Sequence, residues 1–171
     1  MIMWYNTPAF VRPEGFWNAR VSVRGERDEH RWMNSQRSPQ LAAWRGLAFE
    51  RVCLQHVEQI KAALGIAGVR TSAYSWRSRA DGGERGAQID IVLDRDDGVV
   101  NLCEIKYSAT PYEIDADEAA RLRNRKELFM RETGTRKTCR TTLVTSCGLK
   151  AGKNRWTAEA EVSLDDLFRG D

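Results

Sequence analysis

Two short apolar runs near the middle of the chain hold the residues best suited to chemistry. Ile89-Asp90-Ile91-Val92-Leu93 leads through a polar turn into Leu102-Cys103-Glu104-Ile105-Lys106. The pattern predicts a β-hairpin with an aspartate on one strand and Glu-x-Lys on the next. Glu104 and Lys106 are two apart and share one face of their strand. Whether Asp90 joins them depends on the turn. Asp96-Asp97-Gly98 fits a three-residue loop with glycine in the left-handed position. Arg95 then faces Val99 and, in the same register, Asp90 faces Glu104. Directly opposite residues have Cβ atoms about 4.5–5.5 Å apart. A two-residue turn would slip the register by one and send Asp90 to the other face.

Carboxylates held that close repel each other unless a proton or a cation lies between them. A hard divalent metal with oxygen ligands answers the need, and Mg²⁺ typically takes one or two carboxylates plus substrate phosphate. A lysine beside them could contact a phosphate or help generate an attacking hydroxide. The rest of both strands is apolar, so the charged trio is not an ordinary solvated face.

The elements that must position the trio can be read outward from it. Residues 1–36 form an irregular arm rich in aromatics (Trp4, Tyr5, Phe10, Phe16, Trp17, Trp32), suited to packing on this domain or a neighbour. Ser38-Pro39 opens a helix, serine as N-cap and proline in the first turn, running to about Leu64 before Gly65. Leu47, Glu50, Leu54 and Val57 lie on one helical stripe, which makes Glu50 an acid inside an apolar face or a glutamate at its wet edge. Val69 to Trp76 reads as a strand, Arg77 to Arg85 as a charged loop, and Gly86–Leu93 with Val99–Tyr107 as the hairpin. Asp115 or Asp117 caps a second helix that ends before Gly134. A strand from Thr138 to Ser146, a Gly/Lys/Asn loop, a short strand over 160–163 and a terminal turn complete the chain. The expectation is a mixed α/β fold, helix, three strands, helix, two strands, over one domain spanning 37–169.

The chain has 171 residues, 42% hydrophobic and 30% charged, with a net charge of +3, enough for one domain with a core and compatible with nucleic acid without demanding it. Cys53, Cys103, Cys139 and Cys147 form no C-x-x-C pair and have no histidine cluster nearby, which argues against zinc and fits a reducing, cytoplasmic setting. No apolar run is long enough to span a bilayer, so no membrane association is expected, and no signal peptide is expected either. Gly148-Leu149-Lys150-Ala151-Gly152-Lys153 has the wrong spacing for a P-loop. His30 and His56 are the only histidines, which disfavours nuclease chemistry built on a histidine base.

Helix-Glu, strand, strand-Asp, strand-Glu-x-Lys, helix, strand resembles the α-β-β-β-α-β core of the PD-(D/E)XK, or restriction-endonuclease-like, nuclease superfamily. Ala43-Trp44-Arg45-Gly46-Leu47-Ala48-Phe49-Glu50-Arg51-Val52-Cys53-Leu54, Gly86-Ala87-Gln88-Ile89-Asp90, Asn101-Leu102-Cys103-Glu104-Ile105-Lys106-Tyr107, Leu143-Val144-Thr145 and Val162-Ser163-Leu164-Asp165-Asp166-Leu167-Phe168 resemble one branch of it. That branch is the nuclease-like C-terminal domain behind the P-loop module of archaeal-type AAA ATPases. The similarity runs from about Asp28 to Phe168. Ile89 stands where the superfamily's name has proline, and the ATPase module is absent.

The resemblance implies a Mg²⁺- (or Mn²⁺-) dependent DNA endonuclease. Asp90 and Glu104 would be metal ligands with the Ile105 carbonyl, Lys106 the catalytic lysine and Glu50 an accessory acid. Gln88 would help hold water or phosphate. It also implies DNA and an AAA ATPase module, in cis or trans, as partners, and admits a homodimer. The alternative is a silent DNA-binding or regulatory domain that docks on such a module. Lys150, Lys153 and Arg155, interleaved with Asn154 and Trp156, are candidate phosphate contacts, and Tyr107 a candidate stacking residue. Arg121, Arg123, Arg125 and Lys126 on the second helix read either as further DNA contacts or as a solvated face with partners such as Arg123–Glu127.

Overall fold

The computed structural model describes residues 38–78 and 86–169; the aromatic arm and most of the charged loop after Arg77 lie outside them. Helices α1 (Pro39–Gln55) and α2 (Val57–Ala63) precede strands β1 (Thr71–Arg77), β2 (Gln88–Arg95) and β3 (Val99–Lys106). Helix α3 (Ala116–Thr133) and strands β4 (Thr138–Thr145) and β5 (Ala160–Ser163) follow, with 3₁₀ turns at Arg155–Thr157 and Asp165–Leu167. The five strands lie in sequence order in one mixed sheet, antiparallel from β1 to β3 and parallel from β3 to β5. This is the α/β arrangement expected from the sequence, a mixed sheet flanked by helices.

Local signals explain most boundaries. Ser38 caps α1, its Oγ accepting the Leu41 N–H at 3.2 Å, with Pro39 in the first turn. Asp115, not Asp117, caps α3 by accepting the Glu118 N–H at 2.7 Å, and Gly134 ends it at φ 61°. The hairpin between β2 and β3 turns through three residues with Gly98 at φ 84°. A non-glycine there would meet the left-handed steric penalty. The register follows: Ile91 pairs with Cys103, Val92 with Leu102, Leu93 with Asn101 and Asp94 with Val100.

The core has a layer on each sheet face. Phe49, Cys53, Ile60 and Ile66 from the α1–α2 side pack on Ile91, Leu93, Cys103, Val144 and Val162. On the other face Phe129 joins Ile89, Val92, Val100 and Leu102, while Ala119 and Leu122 join Leu143. Two sequence expectations change here. The first helix is not continuous to Leu64; it breaks at His56 (φ −116°, ψ 34°), whose Nδ1 lies 2.8 Å from the Val52 carbonyl. Its buried stripe is Phe49 and Cys53, whereas Leu47 and Leu54 are exposed at 67% and 47%. Beyond the break, Val57 and Ile60 pack in the same cluster as Phe49 and Cys53.

Candidate active site

Asp90 sits at an irregularity in β2. Tyr74 pairs with Val92 and Trp76 with Ile89, so Ser75 of β1 stands opposite both Asp90 and Ile91. This β-bulge breaks the alternation: Ile89 and Val92 fall in the same core layer, and Ile91 in the other. The β2–β3 pairing ends at Ile91 and Cys103. One step further, where the register would put Asp90 against Glu104, the Asp90 carboxylate instead reaches across to β3. Its Oδ2 accepts the Ile105 backbone N–H at 2.9 Å.

Glu104 continues the Leu102 side of β3 and lies against α3. Its Oε1 meets two cations, Lys106 Nζ at 2.8 Å and Arg125 Nη1 at 2.6 Å. Lys106 also reaches Glu118 Oε1 at 3.1 Å, and Glu118 Oε2 pairs with Arg121 at 2.7 Å. Glu118, Arg121 and Arg125 are spaced three and four apart, which puts them on one stripe of α3. The sequence reading missed Glu118 and left Arg125 undecided between DNA contact and solvated face. Its spacing from Arg121 and Glu118 was the available signal, but only the packing of α3 on β3 turns that stripe toward Glu104. Glu118 is buried, and Arg125 is turned inward.

These environments displace several proton equilibria. Burial pushes the Asp90 carboxyl up; the Ile105 N–H opposes this and the Glu50 charge adds to it. Burial also pushes Glu104 up, against the pull of Lys106 and with a further push from Asp90. For Lys106, burial works downward, but Glu104 and Glu118 more than offset it and the ammonium is held above the ordinary lysine range. Glu118 is also penalised by burial, yet Lys106 and Arg121 bring its carboxyl below the usual range. The thiols of Cys53 and Cys103, buried beside Asp90, are pushed up to about 12, so they are inert.

The remaining candidates are more scattered. Glu50 is half-buried on α1, one residue beyond Phe49, and its charge reaches Asp90. Gln88 is exposed at the start of β2 and accepts from Arg77 Nη2 at 2.6 Å. Tyr107, 40% exposed, meets Phe49 edge-on with ring centroids 6.2 Å apart. Lys150 pairs with Glu113 at 2.7 Å, beside an open hollow of about 590 Å³ lined by Ser108, Pro111 and Tyr112. Arg155 is clamped by Glu161 at 2.6 Å and donates to the Ala158 carbonyl, while Lys153 is exposed.

The donor set suits a hard divalent cation: two carboxylates flank the Ile105 peptide, and both are held up by burial, a penalty that a cation would relieve. No group of three or more His, Cys, Asp or Glu ligands is assembled among the described residues. Asp90, Glu104 and the Ile105 carbonyl are the groups that could hold such an ion, with water and phosphate completing its shell. No helix among the described residues is long and apolar enough to cross a membrane.

No family model matches the chain, and no curated protein matches it. Among solved structures it is similar to a crystal structure of a protein of unknown function, AF1548, at 16% identity and a TM-score of 0.44. The similarity covers 66% of this chain and 62% of that one, so the chain spans less than two thirds of that protein's length.

Proposed function

We infer that the chain is a Mg²⁺- or Mn²⁺-dependent phosphodiesterase acting on DNA, of the PD-(D/E)XK type and related to the nuclease-like domain of AAA ATPases. The observation that carries the reading is the meeting of Asp90, Glu104 and Lys106 around the Ile105 peptide, where β2 and β3 stop pairing. The β2–β3 ladder stops at Ile91 and Cys103, and the Asp90 carboxylate takes up the Ile105 N–H beyond it. Asp90, Glu104 and the Ile105 carbonyl would hold the cation. When bound, the ion lowers the pKa of a water and neutralises charge on the phosphate.

Lys106 has a narrower role than its sequence position suggests. Glu104 and Glu118 keep its ammonium protonated at neutral pH, so it donates to the phosphate or to the attacking water and is not the base. Glu118 anchors the ammonium from α3. Glu50, on the α1 side of Asp90, orients water there.

The test is cleavage of supercoiled plasmid and single-stranded DNA with Mg²⁺ or Mn²⁺ by wild type and Lys106→Ala. Metal-dependent nicking, reduced by about 10²-fold or more in the variant, is expected. Equal cutting by both proteins would overturn the assignment of Lys106.

One observation favours a second reading, a silent DNA-binding or regulatory domain that docks on an ATPase module. Glu104 is already neutralised by two protein cations, as a purely structural carboxylate would be. DNA binding without cutting by wild type, in either metal, would select it.

A further inference from the structure

We propose that Arg125 neutralises Glu104 until a divalent cation arrives, and that the displaced guanidinium then receives a phosphate oxygen of the substrate. The proposal rests on the phosphodiesterase reading above and assigns a residue that the Glu-x-Lys pattern does not contain.

Glu104 Oε1 carries both Lys106 and Arg125, but the two cations are held differently. Lys106 donates a hydrogen bond to Glu104 and has a second anchor in Glu118, so it keeps a partner when Glu104 turns to a metal. The ion pair of Arg125 is with Glu104. Its Nη1 is buried and lies 2.6 Å from the carboxylate, so charge holds the guanidinium in place.

Access gives the order of events. The Glu104 side chain is only 8% exposed and that of Arg125 is 25% exposed. The guanidinium is the more movable of the two, since it stands at the end of a long side chain on α3, whereas Glu104 is on a central strand. A divalent ion at Glu104 would add its charge to the two cations already there, and in a poorly screened setting the repulsion falls on Arg125, which lacks the second carboxylate anchor that Lys106 has. The released guanidinium stays within reach of the site. Its planar fork matches a phosphodiester, and the cation and phosphate then share Glu104 and Arg125 between them.

The experiment titrates Mn²⁺ calorimetrically into wild type and Arg125→Gln without DNA. The variant should bind Mn²⁺ about three- to tenfold more tightly, since a competing cation has been removed. In a Lys106→Ala background, where cleavage is suppressed, Arg125→Gln should weaken duplex binding in the presence of Mg²⁺ by about tenfold. Unchanged or weaker Mn²⁺ binding by the variant, with wild type binding normally, overturns the role of Arg125 alone. If neither protein binds Mn²⁺, the phosphodiesterase reading falls and takes the proposal with it. Wild type supplies a readout that does not depend on how the variant folds. On Mg²⁺ binding, the Arg125 side-chain N–H resonances should shift and exchange faster with water; bound Mg²⁺ with those resonances unmoved also overturns the proposal.

Discussion

Asp90 Oδ2 accepts the backbone N–H of Ile105 across the gap where the β2–β3 ladder stops. One carboxylate thereby does two things. It satisfies a main-chain donor that the broken ladder would leave bare, and it brings a negative charge to the peptide between Glu104 and Lys106. Burial makes that charge costly to the fold.

That cost can be measured at Asp90. Its carboxyl is raised from the ordinary 3.8, so the folded state holds the proton more tightly than the unfolded one. Its contribution to stability is full below that value and is lost as pH rises through the folded pKa. Asp90→Asn keeps an oxygen for the Ile105 N–H and removes the charge. It should be as stable as wild type or more so at pH 7, with the difference vanishing below about pH 4. Asp90→Ala removes the acceptor and should cost about 1–3 kcal/mol. Urea unfolding across pH checks both, and both variants should lose Mn²⁺ binding.

Glu118 should show the opposite sign. Lys106 and Arg121 hold its carboxyl below the ordinary 4.5 despite burial. Its stabilisation is present above the unfolded pKa and lost as pH falls through the folded one. Glu118→Gln should therefore cost about 1–3 kcal/mol at pH 7, and the deficit should shrink as pH drops below 4.5. The same variant frees one anchor of Lys106. Nicking should fall while Mn²⁺ affinity holds, a split that calorimetry and a plasmid assay resolve together.

Lys153 and Arg155, two residues apart, should separate by assay. Arg155 links the 3₁₀ turn to β5 through Glu161, whose other oxygen accepts the Leu149 N–H at 2.6 Å. Arg155→Ala should lower stability by about 0.5–1.5 kcal/mol with little change in DNA affinity. Lys153→Ala should leave thermal unfolding unchanged and, if this loop meets the DNA backbone, reduce the magnitude of the salt-dependence slope by about 1. Fluorescence anisotropy at several salt concentrations and a thermal melt distinguish them.

What sequence alone determined here was local. Gly98, allowed a left-handed φ, set a three-residue turn, and the turn set the register over Ile91–Asp94 and Val100–Cys103. Ser38, Asp115 and Gly134 marked helix ends because capping needs only neighbours a few residues away. Tertiary structure decided whatever depends on a distant partner. Periodicity pointed to a stripe through Leu47 and Leu54, but the sheet took Phe49 and Cys53 because those two pack with Ile91 and Cys103. The bulge at Asp90 arises from pairing with β1, sixteen residues before it at Tyr74, which no pattern within β2 reveals. The ionic company of Glu104 and Lys106 comes from α3, where the sequence singled out no role for Glu118 and left Arg125 between a DNA contact and a solvated face. Only the crossover that lays α3 over β3 buries Glu118 and turns Arg125 inward beside the strand, where a charge pattern becomes a candidate site.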